Sequence, residues 1–206
     1  ITSRLVGSEM CIRDSKYSKI PNQKSYVLLE NYKENKTVWE NEDCSIIDIG
    51  DGILNIEFNS KMNTIGSGIL QGLNKAIELG EKNFQGLIIG NEGDNFSAGA
   101  DLGMIFMMSV EQEYEKLDIA IKYFQETMMK LRYSNIPTIA SPHGLTLGGG
   151  CELCMHADKV VAAAETYIGL VEFGVGLIPG GGGTKEMTLR TSESFKKNDV
   201  ELNILR

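Results

Sequence analysis

Apolar residues recur along this chain with two different periods, and together they predict alternating strands and helices. Apolar runs at residues 46–49 and 53–58 flank a Gly-Asp-Gly segment, which predicts two strands joined by a tight turn. Apolar residues spaced by four between positions 65 and 77 predict one face of a helix that ends near Gly80. The first half of the chain therefore predicts a strand-strand-helix unit.

The second half of the chain continues this alternation. Residues 87–89 and 138–140 predict short buried strands, and an apolar stripe over residues 110–131 predicts one long helix with its stripe in the core. A short helix is expected over residues 150–157 and a strand over residues 160–163. Because strands alternate with helices, we predict an α/β fold in which helices cover a sheet.

The composition is that of a globular domain, and it restricts the classes of function. Hydrophobic residues make up 42% and charged residues 23% of the 206 positions, which is enough for one domain with a core. The net charge of −8 argues against broad nucleic-acid binding, and no apolar stretch is long enough to cross a membrane.

The four cysteines form no disulfide framework. Cys151 and Cys154 make a C-x-x-C, but neither a second pair nor a suitably spaced histidine accompanies them. We interpret them as two thiols on a buried helix in a reducing compartment, and we predict no metal site.

Both ends of the chain differ in character from its middle. Residues 1–15 resemble a translated sequencing adaptor and are expected to be non-native, and the polar residues 16–43 are expected to form a linker or an edge segment. We assign the core to residues 44–191. Residues 192–206 stop within an incipient apolar pattern, so we expect them to begin a C-terminal helical region that is truncated.

Two loops of small residues are candidates for binding an oxyanion. Residues 95–102 lie between a predicted strand and a predicted helix, and Gly148, Gly149 and Gly150 repeat that arrangement. Small side chains leave backbone N–H groups open, and a helix start favours negative charge. Each loop could offer one N–H to a single carbonyl oxygen. Tight packing between helix and sheet also selects small residues, and it is the alternative explanation.

Two glutamates in apolar surroundings are candidates for proton transfer. Glu152 follows the three glycines at a predicted helix start, and Glu172 lies in a second glycine-rich segment. If both face one cavity, their pKa values are raised or coupled; otherwise Glu152 is a charge that suits a helix start. The run 176–185 departs from the phosphate-loop pattern, and His143 and His156 lack a serine elbow, so we assign both histidines structural roles.

Three motifs resemble those of the crotonase superfamily, and of enoyl-CoA hydratases in particular. They are FSAGADL at residues 96–102, HGLTLGGGCEL at 143–153 and GLVEFGVGLIPGGGGT at 169–184. The resemblance extends over about residues 46–190, and three motifs in this order are a specific signal. Local variants, such as the one at residues 61–64, look most like the hydratase part of a multifunctional 3-hydroxyacyl-CoA dehydrogenase.

The resemblance implies a fold, a reaction and a set of residues. The fold is the crotonase-like spiral of strand-strand-helix units with outer helices. The reaction is the addition of water across the 2,3 double bond of a 2-enoyl-CoA thioester in fatty-acid β-oxidation. By position, Ala100 and Gly149 match the two oxyanion-hole amides, and Glu152 and Glu172 match the two carboxylates that hold one water between them.

The resemblance also implies which residues contact the substrate and which cofactors and partners are expected. The residues that fall in the CoA-contacting loops are Lys61, Met62, Ala98, Asp101 and Leu102. No cofactor is expected in this part because the substrate carries the CoA, and NAD would belong to a dehydrogenase part. We expect an acyl-CoA substrate, a homo-oligomer or multifunctional assembly in the bacterial cytoplasm, and neither nucleic acid nor a membrane as partner. An enoyl-CoA isomerase and a non-catalytic crotonase-fold binding protein are the alternatives.

Overall fold

Strands and helices alternate in the computed structural model, which describes residues 10–13, 16–19 and 27–197. The strands are β1 Met10–Arg13, β2 Lys16–Lys19, β3 Thr37–Glu40, β4 Cys44–Gly50, β5 Ile53–Phe58, β6 Gly86–Ile89, β7 Thr138–Ala140, β8 Leu145–Leu147, β9 Lys159–Val160 and β10 Tyr167–Gly169. The α-helices are α1 Glu30–Lys36, α2 Ser67–Asn83, α3 Leu102–Val110, α4 Tyr114–Arg132, α5 Gly149–His156 and α6 Gly183–Lys197. Short 3-10 helices occur at Lys61–Asn63 and Glu172–Val175.

Most strands belong to one six-stranded sheet with the order β3-β4-β5-β6-β7-β9. Its first three strands are antiparallel, and β5, β6, β7 and β9 are parallel. A second, two-stranded sheet pairs β8 with β10 in parallel, with Leu147 opposite Gly169. Because parallel strands end at the same edge, the segments that follow them, 148–153 and 170–176, lie side by side.

The main core lies between the large sheet and helices α2, α4 and α5. Fully buried side chains come from each layer, including Ile46 and Ile56 of the sheet, Leu73 of α2, Met128 of α4 and Leu153 of α5. The predicted α/β class, with helices packed on a sheet, is confirmed.

The long helix predicted over residues 110–131 is confirmed as α4, except at its start. Val110 ends α3, and Gln112 between the two helices has a positive φ of 58°, which no continuous helix allows. The apolar stripe is buried only in the second half of α4, where Met128 and Leu131 are inaccessible, while Val110 and Tyr114 are exposed. The second half of α4 contacts α2, where the Asn74 side-chain amide donates to the Thr127 hydroxyl. This contact accounts for the burial of the stripe there.

Smaller differences concern short elements. The last predicted strand, 160–163, is shortened to the two-residue β9. The sequence pattern does not predict β8 and β10, because three residues are too few to show a period of two. Helix α1 and the edge strand β3 lie in the segment 16–43. Within the described ranges, every helix falls short of the length and apolarity that a membrane span requires.

Candidate active site

The loop before α3 and the start of α5 approach each other closely. Ser97 pairs with β8, because its N–H donates to the Leu145 carbonyl and its own carbonyl accepts from the Leu147 N–H, at 3.1 and 2.9 Å. The approach leaves no room for side chains: a Cβ added to Gly99 would lie 2.8 Å from the Leu147 carbonyl oxygen and 3.3 Å from the Gly149 nitrogen. Gly99 also has a φ of +92°, a conformation that favours glycine.

The backbone amides of Ala100 and Gly149 lie next to each other in this contact. A Cβ added to Gly149 would be 3.5 Å from the Ala100 nitrogen. Within the described part of the chain, neither N–H donates a hydrogen bond to another protein group. Gly149 is the first residue of α5, so the helix dipole adds a positive potential there. Two neighbouring backbone donors are thus left without a protein acceptor in the described residues.

Glu152 lies in the first turn of α5 and is 2% exposed. Its Oε1 accepts hydrogen bonds from the backbone N–H groups of Gly181 and Gly183, each at 2.8 Å. Burial raises the pKa of Glu152 and the charge of Glu172 raises it further, whereas the two amides oppose the shift. A buried carboxyl group of this kind is suited to exchanging a proton.

Glu172 begins the 3-10 helix after β10 and is half-buried. Its Oε1 would lie 3.1 Å from a Cβ added to Gly148, one residue before the Gly149 amide. Its Oε2 is inaccessible and has no hydrogen-bond partner within the described residues. The β8–β10 pairing therefore brings together Glu152, Glu172 and Gly149, and the loop contact adds Ala100.

Phe124 and the glycine run 180–183 complete these surroundings, although the sequence pattern predicts neither contact. Phe124 of α4 packs against Gly181, and its Cζ would be 3.1 Å from a Cβ added to Gly149. The Gln125 side-chain amide donates to the Gly180 carbonyl at 2.7 Å, which ties the run to α4. The four consecutive glycines could have indicated this contact, because a backbone segment that approaches a carboxylate closely favours glycine.

The residues predicted to contact CoA lie around the loop before α3. Ala98 is half-buried, and its N–H donates to the Met62 carbonyl at 3.1 Å. The side chains of Lys61, Met62 and Leu102 are exposed there. The exposed Asp101 caps α3, because its side chain accepts from the Met104 N–H. These residues flank Gly99 and Ala100 or contact that loop, and their contact with CoA stays a prediction.

The sequence profile described as "Enoyl-CoA hydratase/isomerase" matches residues 48–196 of this chain. The chain belongs to this enoyl-CoA hydratase/isomerase family. A crystal structure of a family member, the enoyl-CoA hydratase from Bacillus anthracis, superposes with a TM-score of 0.64 at 29% identity, covering 70% of this chain and 57% of that one. The crotonase-like fold that the three motifs imply is therefore confirmed.

Longer proteins contain the same family segment. A Bacillus subtilis protein named as a probable 3-hydroxyacyl-CoA dehydrogenase is 48% identical over 172 residues, which cover 83% of this chain and 22% of that protein. A Rickettsia felis protein, named as a trifunctional enzyme of a fatty acid oxidation complex, is 36% identical over 86% of this chain and 25% of its own length. This chain thus spans about a quarter of the length of these curated relatives.

The cysteines of α5 and the two histidines lie in environments that suit structural roles. Cys151 and Cys154 are free thiols buried on α5, as predicted, and burial raises their pKa values to about 11 and about 12, which makes them poor nucleophiles. A ring nitrogen of His143 lies 2.6 Å from the Gly93 carbonyl oxygen. His156 is buried behind Glu152, where its Nδ1 donates to the Glu152 carbonyl at 2.7 Å. Side chains that could together ligate a metal ion are not grouped anywhere in the described residues.

Replacing Glu152 by glutamine is expected to stabilise the fold at neutral pH. The folded state binds the proton of Glu152 more tightly than the unfolded state does, so ionising this group destabilises the fold. This penalty is absent below the unfolded-state pKa of about 4.3. It grows as pH rises through the higher folded-state pKa. Glutamine keeps an oxygen for the two amides and carries no charge.

Calorimetry across a pH series would measure this effect. We expect the Tm of Glu152→Gln to exceed that of the unchanged chain at neutral pH, and the difference to disappear in acid. A Tm at or below that of the unchanged chain at every pH would show that the ionised carboxylate stabilises the fold instead.

Proposed function

We propose that this chain adds water across the 2,3 double bond of a 2-enoyl-CoA thioester. The observation that carries the proposal is the placement of two glutamates, Glu152 and Glu172, at the start of α5 beside two amides that donate no hydrogen bond within the described residues. Membership of the hydratase/isomerase family supports the substrate class.

The two amides would stabilise the charge that develops during the reaction. As hydroxyl adds to Cβ, electrons move to the thioester oxygen, which takes on enolate character. Donors from Ala100 and Gly149 would hold that oxygen in a site where they need no reorganisation, and such preorganised donors stabilise the transition state more than the ground state. The Phe124 ring, which packs near Gly149, would help to exclude water from this position.

The two carboxyl groups would divide the proton transfers between them. Glu152 would take a proton from the water molecule whose oxygen bonds to Cβ. Glu172 would deliver a proton to Cα, and the proton taken up by Glu152 would pass back to Glu172, so that the elements of one water molecule are added and both carboxyl groups regain their starting states. Oε2 of Glu172, which has no hydrogen-bond partner among the described residues, and the second oxygen of Glu152 would contact this water.

The surface around Lys61, Met62, Ala98, Asp101 and Leu102 would hold the CoA moiety, with Lys61 as the cationic group for its phosphates. The reaction needs no cofactor besides the CoA that the substrate carries. The relatives' names favour a hydratase part within a larger fatty-acid oxidation enzyme, where NAD would serve a dehydrogenase part.

Isotope labelling of the full chain's reaction would test the proposal. We expect a short 2-enoyl-CoA in ¹⁸O-labelled water to yield a 3-hydroxyacyl-CoA with the heavy oxygen on C3. The matched saturated acyl-CoA, which has no double bond to hydrate, serves as the control. Double-bond migration in a 3-enoyl-CoA with deuterium uptake from heavy water, without hydration, would identify an isomerase instead. No change in either substrate would favour a binding protein.

A further inference from the structure

A buried charged cluster lies next to Glu152, around the carboxylate of Glu186. Glu186 of α6 is fully buried, and Arg132 from the end of α4 donates a hydrogen bond to its Oε2. Lys185 places its Nζ 3.0 Å from Oε1 of the same carboxylate. The ring of His156 lies on the third side, with Nε2 3.6 Å from Oε1.

The cluster is joined to both supports of Glu152. The backbone N–H of Glu186 donates to the Gly182 carbonyl at 3.0 Å, in the middle of the segment whose Gly181 and Gly183 amides hold Glu152 Oε1. On the other side, His156 donates from Nδ1 to the backbone carbonyl of Glu152 itself. The residue that carries the buried carboxylate thus also bonds the glycine segment, and the ring beside that carboxylate bonds Glu152.

The charges in the cluster favour one fixed position of the Glu186 side chain. Burial lowers the pKa of His156, so the ring is neutral near pH 7 and Glu186 is left with two cations as its charged neighbours. A buried ion pair adds little net stability compared with apolar residues of the same shape. Removing Arg132, however, leaves the buried Glu186 carboxylate with Lys185 alone as its cation, and removing the Glu186 charge leaves two cations without their anion, so we expect the backbone around the cluster to relax.

We propose that Glu186, held by Arg132, is a positioning residue that keeps the Gly181 and Gly183 amides on the Glu152 carboxylate. This inference rests on the proposed hydration, because Glu152 is its reacting group. Displacement of a reacting group by about 1 Å can lower a rate by about 100-fold. The proposed contacts with CoA come from the loop before α3, so we expect the displacement to change turnover and to leave binding intact.

Steady-state kinetics of Glu186→Gln in the full chain test the inference. We expect kcat to fall on the order of 10- to 100-fold with KM within about twofold of the unchanged chain. Arg132→Gln should lower kcat similarly, and the double variant should lose no more than either single variant because the pair acts as a unit. Arg132→Lys, which keeps the charge, should restore most of the turnover.

Glu57→Gln is the matched control. Glu57 is also a buried carboxylate, 4% exposed, and pairs with Lys33 Nζ at 3.0 Å, but it lies on β5 away from the glycine run. We expect this variant to lower Tm and to leave kcat unchanged. A kcat for Glu186→Gln that falls no further than that of Glu57→Gln would overturn the inference. If Glu186→Gln does not fold, Arg132→Gln and Arg132→Lys allow the same comparison.

Amide hydrogen exchange supplies a readout that does not depend on activity. In Glu186→Gln, the Gly181 and Gly183 amides should exchange about 10-fold faster or more, while amides of β4 keep their protection. Unchanged exchange at both glycines would overturn the inference even if turnover falls. An unchanged chain that hydrates no 2-enoyl-CoA would instead contradict the proposed function, and the exchange result would still decide whether the cluster holds the glycine run.

Discussion

Hydration of a 2-enoyl-CoA is expected to slow by about 100- to 10,000-fold when either Glu152 or Glu172 is replaced by glutamine. Glutamine is nearly isosteric with glutamate but can neither take up nor release a proton near neutral pH. Each variant therefore removes one of the two proton transfers and keeps the shape of the site. The two carboxyl groups act on the same water molecule, so we expect the double variant to lose little more than either single variant.

The measurement is the disappearance of the conjugated enoyl thioester, followed by absorbance under saturating substrate. Glu115→Gln is the matched control, because Glu115 is exposed in the first turn of α4 and the chemical change is the same. We expect this control to hydrate at the rate of the unchanged chain. If Glu152→Gln and Glu172→Gln both retain that rate, the two-carboxylate mechanism is excluded.

Replacing Gly99 by alanine is expected to damage both the fold and the oxyanion site. The methyl group would press on the Leu147 carbonyl, 2.8 Å away, and on the Gly149 nitrogen at 3.3 Å. Both are backbone atoms and cannot turn aside as a side chain can. Moving the loop displaces the Ala100 and Gly149 amides, and misplacing such a donor lowers the rate by about 100-fold or more.

Gly50→Ala separates backbone strain from this contact. Gly50 has a φ of +95°, almost the same as the +92° of Gly99, but a Cβ there would meet no atom within 4 Å. We expect Gly50→Ala to cost about 1 kcal/mol in the free energy of unfolding and to leave turnover unchanged. Gly99→Ala should cost clearly more in denaturant titration and lose turnover. Equal losses of stability with full activity in both variants would show that the loop contact is not needed.

The periodic part of the fold could be predicted from the sequence, and the exceptions have physical causes. Apolar residues spaced by four predict α2 because its buried face follows the helical period throughout. The break between α3 and α4 escapes prediction because Val110 and Tyr114 are four residues apart and keep the same spacing across it. A single residue with positive φ, Gln112, interrupts the helix without disturbing the apolar pattern.

The candidate site was predictable where its chemistry lies in local motifs. The glycines before Glu152 indicate an open backbone, and the resemblance to a family assigns the partner glutamate. The hydrogen bonds from Gly181 and Gly183 to Glu152 span 29 and 31 residues, and no local period encodes such a contact. Phe124 belongs to a stripe that predicts core packing, and only the fold reveals that it is half-buried against Gly149 and Gly181.

The order of these segments along the chain has a consequence for biosynthesis. Glu152 is made well before Gly181 and Gly183, which supply the hydrogen bonds to its buried Oε1. Until that later segment leaves the ribosome, the carboxyl group must stay hydrated or take up a proton, because burying it ionised without donors is unfavourable. We therefore expect α5 to dock late on the nascent chain, after strands β3 to β7 of the large sheet, which precede it, have paired.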